Sequence, residues 1–360
     1  MSHIAEQMST LSGKNTKAMW DAIKDCQLGH EINYQRPSTM SLTMENGQRT
    51  STDKENMNIM QAHCEKLFNN KKPVSPTALD TITQREIEPT LDDPLTWKEF
   101  TKALNGLKNN KSPGANEIPA EAFKAMNNHN RQLVFKFINS FWNEDTDYPE
   151  WHTGRGVPVQ KIPHPSNPNQ YRIVNLMDVG SKIFSRILTA RLYKLLEKHG
   201  SKHQFGATPK SGCQDCNFTL KTLLHLCRQH NLETYVVFAD LVKAFDTSDH
   251  LLIGRILERY GAPPRFSRTI QRLYSDLRVT LKIGKESVDI EQTVGVRQGD
   301  NLSPVIFLFV MTAFAEILEH KWTEAKLPRI EAEHTPLHEA SRGQLTGHIK
   351  PATRRGTTTT

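Results

Sequence analysis

Asp240 lies at the end of an apolar run, Tyr235-Val236-Val237-Phe238-Ala239, and a second carboxylate, Asp246, follows six positions later. A carboxylate delivered by an apolar strand is partly desolvated, which is costly unless a cation or hydrogen bonds compensate. A hard divalent ion such as Mg²⁺ suits it, taking oxygen ligands from one or two carboxylates plus substrate phosphates. An Asp capping the following helix fits the same segment. Both readings stay open on these residues alone. The second candidate is Gly295-Val-Arg-Gln298-Gly299-Asp-Asn-Leu-Ser303-Pro304, a glycine-flanked polar loop running into a helix. Its spacing predicts Ser303 as N-cap with Pro304 in the first turn. Glycines permit close backbone approach, and a helix amino terminus favours anions such as phosphate. A plain strand-to-helix turn would read the same way.

The elements that must position these segments follow from periodicity. Trp97, Phe100, Leu104 and Leu107 recur at helical spacing and lead into the basic turn Lys108-Asn-Asn-Lys111-Ser-Pro-Gly114. Residues 123–142 read as one helix, 156–163 as a strand, 165–169 as a turn and 171–176 as a returning strand. Residues 182–198 form the clearest helix, with Arg186, Arg191, Lys194 and Lys198 around its apolar stripe. Further helices are expected over 217–230, 251–260, 266–277 and 304–319, with a strand over 235–239. A hairpin spans 278–283 and 288–294. This irregular alternation predicts an α+β fold.

Residues 1–90 read as a helical and irregular arm, with helices near Trp20, Ile23 and Leu28 and over 59–68, closed by Pro73 and Pro76. Residues 91–320 form the structured region, and 321–360 read as a weakly ordered tail. The 360 residues carry a net charge of +7, a moderate basic excess that says little by itself about a polyanionic partner. Met1 to Thr10 has no apolar core of a signal peptide, and the apolar run 305–318 is short for a bilayer span. An intracellular protein, nuclear or cytoplasmic and outside the membrane, is expected. Five cysteines argue against a disulfide framework. Cys213-x-x-Cys216 with His225 and Cys227 has the look of a zinc set. However, Cys216, Leu220, Leu223, Leu224 and Cys227 share one helical stripe, which predicts core thiols instead.

Taken together, Phe238-Ala-Asp240-Leu-Val-Lys-Ala-Phe245-Asp246 and Gly295-Val-Arg-Gln-Gly-Asp-Asn-Leu-Ser-Pro304 resemble motifs of non-LTR (LINE-type) retrotransposon reverse transcriptases. Upstream, Leu107 to Glu121 is similar to the segment opening those domains. Val157-Pro-Val-Gln-Lys161-Ile-Pro with Tyr171-Arg172 looks like the fingers hairpin, and Gln204-Phe-Gly206 is close to a further element. The likeness runs over about residues 90–320 in the family's order. It implies a right-hand polymerase of fingers and palm, acting as an RNA-directed DNA polymerase on RNA template, DNA primer and deoxynucleotides with Mg²⁺. By that resemblance Asp240 is the catalytic, metal-binding aspartate, and Lys161 and Arg172 grip the triphosphate. Phe245 packs under the sugar, Gln298 and Gly299 line nucleotide and template, and Lys108, Lys111, Lys182 and Arg186 follow template phosphates.

There are departures. Arg172 is followed by Ile173-Val174 where the family has proline, and the segment after Gln204 lacks the usual arginines. No aspartate follows Asp300, and the lone Asp-Asp pair is Asp92-Asp93. The family's aromatic-x-Asp-Asp hairpin and thumb are therefore expected to be missing, leaving the chain polymerase-dead alone. The alternatives are a non-enzymatic nucleic-acid-binding remnant, or a split enzyme completed by another chain.

Overall fold

Local sequence sets where the elements start. Thr52 with Glu55, and Thr96 with Glu99, bond reciprocally as capping boxes and open helices α1 (Asp53–Phe68) and α2 (Trp97–Asn105). α1 therefore starts six residues before the expected helix. Helices α3 (Ala120–Ala125) and α4 (Asn128–Trp142) replace the single helix expected there. The break falls at Asn127, whose side chain accepts from Asn130 N at 2.9 Å. A side chain that caps one helix so locally competes with continuation of the helix before it. A single turn, α5 (Pro149–His152), leads into β1 (Thr153–Gln160) and β2 (Tyr171–Leu176). Then come α6 (Val179–His199), α7 (Cys213–Gln229), α8 (His250–Arg259) and α9 (Pro264–Tyr274). The hairpin β3 (Arg278–Ile283) and β4 (Glu286–Glu291) and the long helix α10 (Leu302–Glu324) complete the main body.

This computed structural model describes residues 40–326, apart from 73, 74, 76, 210, 242 and 247, and the backbone of 330–332 and 349–351. The helix expected near Trp20, Ile23 and Leu28, the closing Pro73 and Pro76, and tail residues His334, His338 and His348 lie outside the described residues. The chain divides after Ser41, and every element named here belongs to the unit that follows.

The fold is α+β around one four-stranded mixed sheet, in the order β2-β1-β3-β4. The four strands form two antiparallel pairs, β1 with β2 and β3 with β4, joined by parallel pairing of β1 with β3. The β1–β2 register sets Val159 opposite Arg172 and Gln160 opposite Tyr171. The parallel join needs a long crossover, and α6 to α9 lie within it. α6 is the hub of the core. Ile183, Phe184, Ile187, Leu188 and Leu192 on it are buried, together with Trp142, Phe266 and Phe309 from neighbouring helices. Two of its basic residues are already spoken for. Arg191 is buried and forks onto both Glu99 oxygens at 2.8 and 3.0 Å, and Lys198 pairs with Glu88. The basic face expected along this helix thus reduces to its first half and Lys194.

Three further expectations change. Residues 235–239 form no strand. Among the described residues no backbone pairs with them, and an unpaired extended segment has no ladder to hold it. Tyr235, Val237 and Phe238 are 88%, 89% and 84% exposed. α10 runs 23 residues and is long and apolar enough to cross a membrane, beyond the short run read from sequence. Burial of Leu302, Val305, Ile306, Leu308 and Phe309 in the core accounts for the apolarity of its first half. The tail expected from residue 321 holds the end of α10 and a separate antiparallel pair, β5 (Ile330–Ala332) with β6 (Ile349–Pro351).

Candidate functional site

The loop at 295–303 is built to stay in one shape. Arg297 and Asp300 form a buried ion pair at 2.8 Å, both side chains almost wholly inaccessible. Arg297 also donates to Trp151 O at 3.0 Å, and Ser303 Oγ donates to Arg297 O at 2.7 Å. Asp300 accepts from Ser185 Oγ at 3.2 Å and from Leu302 N at 3.1 Å. The N-cap is Asn301 rather than Ser303 and has no side-chain cap, Asp300 instead taking the Leu302 N–H, and Pro304 sits inside the first turn, where a missing N–H costs nothing. Two glycines are required. Gly295, at φ +84°, lies so close to Asp246 that a Cβ would sit 2.8 Å from its backbone. At Gly299, with φ +117°, a Cβ would stand 2.7 Å from Asn175 O.

This loop is hydrogen-bonded to both neighbours. Asn175 N on β2 donates to Gln298 O at 2.7 Å. With its amide oriented to satisfy both partners, Gln298 donates to Ile173 O (2.8 Å) and accepts from Arg172 Nε (3.2 Å). On the other side Gly295 N donates to Ser248 O and Val296 N to Phe245 O, both at 2.7 Å. The end of the first motif, Phe245-Asp246, is thus fastened to the glutamine-glycine loop.

Two cavities follow one another along β2. The first, of about 220 Å³, is lined by Lys161, Arg172, Lys243, Phe245, Asp246 and Gln298, with His63, Leu67 and Phe68 of α1. Lys161 is held at its rim, its Nζ donating to Asn169 O at 2.9 Å and its backbone N to Gln170 O at 2.8 Å. Burial raises the Asp246 carboxyl above the usual carboxylate range, opposed by Lys243, Lys161 and Arg172. Burial, with Lys243, Lys161 and Lys66, pushes the His63 imidazole down to about 4. Three cations around one carboxylate, walled by an aromatic ring, make a site for a polyanion with an apolar part.

The second cavity, of about 410 Å³, opens next to Val174, Asn175 and Leu176. Lys108, Lys111, Lys182 and Arg186 line it, together with Gly299 and Asn301. Burial lowers the Lys182 pKa, against the raising influence of Asp178 and Asp300. Gln298 and Gly299 are adjacent in sequence but face different cavities, which makes their peptide the partition between the two.

Asp240 stands apart. It is exposed and lines neither cavity, so the desolvated carboxylate expected from the sequence is not formed. A site for two metal ions needs several convergent carboxylates. No group of three or more His, Cys, Asp or Glu side chains suited to a metal converges among the described residues. The residues present therefore do not fit a two-ion centre, and no reaction step is derived through one. Cys227 is buried as expected, whereas Cys213 and Cys216 are exposed at the start of α7. The stripe that sequence assigned to the core is only half-buried at Leu220, Leu223 and Leu224, because α7 packs inward mainly through its last turns.

Sequence reasoning named Lys161, Arg172, Phe245 and Gln298, and the first cavity brings them together. It missed Lys243 and Asp246 as cavity residues although both lie inside the quoted motif. It also missed His63, Leu67 and Phe68. Nothing at their spacing distinguishes them from an ordinary helix face.

Comparison with known proteins gives the class. Residues 161–334 match the family described as reverse transcriptase (RNA-dependent DNA polymerase). The chain is 25% identical over 276 residues to the uncharacterized 149 kDa protein of transposon TX1 from Xenopus laevis, covering 70% of this chain and 20% of that protein. It is 30% identical over 158 residues to the Pol polyprotein of the retrotransposable element R2DM from Drosophila melanogaster (44% and 15%). It is also 27% identical over 220 residues to that of element R2 from Popillia japonica (61% and 30%). Residues 161–334 are thus similar to reverse transcriptases, and these relatives are proteins of transposable elements. It spans 15% to 30% of the length of these three relatives.

Proposed function

We propose that this domain acts in RNA-directed DNA synthesis, holding the incoming deoxynucleotide in the first cavity and the template strand in the second. One observation carries the reading. The residues that sequence assigned to nucleotide and to template separate into two adjoining cavities along β2, divided at Gln298-Gly299. In this reading the sheet and its β1–β2 hairpin are the fingers, and Phe245 with the 295–303 loop belongs to the palm. Lys161, as a point charge, and Arg172, as a planar fork, take the triphosphate. Phe245, its ring against Phe307 at 4.7 Å, supports the sugar. Lys108, Lys111, Lys182 and Arg186 bind template phosphates, so binding weakens steeply with salt. A Mg²⁺ ion would accompany the triphosphate, but Asp240 stands outside the first cavity and is given no contact to it.

Residues 301–360 contain no aspartate, so this chain supplies a grip on the substrates without a second catalytic carboxylate motif. We therefore expect the purified chain to bind an RNA template with annealed DNA primer and not to extend it with deoxynucleotides and Mg²⁺. Binding that is indifferent to salt, and unchanged in a Lys182→Ala/Arg186→Ala variant, would refute the template groove. Extension that Asp240→Ala abolishes would refute the incomplete catalytic set.

A further inference from the structure

The cavity's fourth wall comes from outside the residues that match the reverse-transcriptase family. Helix α1 ends over the cavity, and its position is fixed by bonds that a mobile arm would not make. Thr293 N and Val294 N both donate to Phe68 O at 3.0 Å, and Asn69 Nδ2 donates to Glu291 O at 3.1 Å. Met57, Met60, Cys64 and Phe68 are buried on its inner side, where burial pushes the Cys64 thiol up to about 12. An apolar face so seated leaves His63 and Leu67, one helical turn apart, turned to the cavity.

We propose that α1 closes the nucleotide cavity and that His63 contacts the phosphates of the bound nucleotide. This rests on the reading of the first cavity as the nucleotide site. His63 is at the phosphate end, because the charges acting on it are those of Lys161 and Lys243, two of the three cations there. An imidazole in such company is neutral in the empty cavity, and donates one N–H to a phosphate oxygen. The other groups facing it are Lys66 on its own helix, Arg172 from β2 and Asp246 from the 243–246 turn. A triphosphate offsets these cations and favours protonation of the ring, converting the contact into a charge-assisted one. The complex then takes up a proton on the His63 ring as pH falls.

The test measures binding of dTTP and of inorganic tripolyphosphate to the full chain, with His63→Gln, His63→Ala and Lys161→Ala variants whose melting temperatures confirm folding. We expect both ligands to bind about tenfold more weakly to the His63 variants at pH 6. The ratio of wild-type to His63→Gln affinity should grow as pH falls from 7.5 to 5.5. Taking the ratio to His63→Gln cancels protonation of the ligand itself. Unchanged affinity in both His63 variants, with Lys161→Ala weakened, would overturn the role of His63 and leave the cavity reading standing. A loss for dTTP without a loss for tripolyphosphate would overturn the phosphate contact. Wild-type affinity that Lys161→Ala does not alter would overturn the cavity reading and this inference with it.

Discussion

The glutamine-glycine loop and the segment carrying Asp240 are both recognisable as polymerase motifs, yet they are held in opposite ways. The loop is tied down by a buried ion pair, two glycines in the left-handed region and bonds to β2 and to Phe245. The segment 235–240 has no ladder and lies open to solvent. The transition occurs within one motif, since Phe245 is bonded to Val296 while Asp240 is exposed. The proposed substrate grip and the Asp240 carboxylate are therefore held independently in this chain. The grip is preassembled by packing, whereas the carboxylate depends on something to lie beside its strand.

Breaking the rigid side should cost most. Asp300→Ala leaves Arg297 charged, buried and unpaired, for an expected loss of about 3–5 kcal/mol in denaturant unfolding. A loss below about 1 kcal/mol would mean that the loop is held by other contacts. Gly299→Ala forces a Cβ against Asn175 O at a positive φ, for roughly 1–3 kcal/mol, and should weaken nucleotide and template together. A smaller effect is expected from His63. Its folded-state value of about 4 lies below the ordinary 6.5, so the native state binds fewer protons than the unfolded chain. Stability then rises with pH across about 4 to 6.5, and is lost as pH falls through that window. His63→Gln should flatten this slope in melts run at several pH values. At the open side the effect should nearly vanish, with Asp240→Ala changing stability by less than about 0.5 kcal/mol.

Most of the elements and several residues of the first cavity could be read from sequence because local signals agree with the fold. The capping pairs at Thr52 and Thr96, the hairpin turn at Gly284-Lys285 and the apolar stripe of α6 each specify their element within a few residues. The strand at 235–239 was misread because its apolar run reports what the segment could pair with, not that a partner is present. Arg191 was misread as a surface cation because its partner, Glu99, lies 92 positions away. His63 escaped for the same reason. Its importance arises only when α1 docks on the β3–β4 hairpin, and no local pattern records that contact.

Amide hydrogen exchange of the full chain, resolved by peptide, tests the division between grip and carboxylate most directly. Peptides covering 171–176 and 294–300 should be strongly protected, while 235–241 exchanges near the rate of an unstructured chain. Adding dTTP should extend protection around 161, 172 and 298 and leave 235–241 unchanged. Equal protection of 235–241 and 294–300 in the free protein would contradict the account.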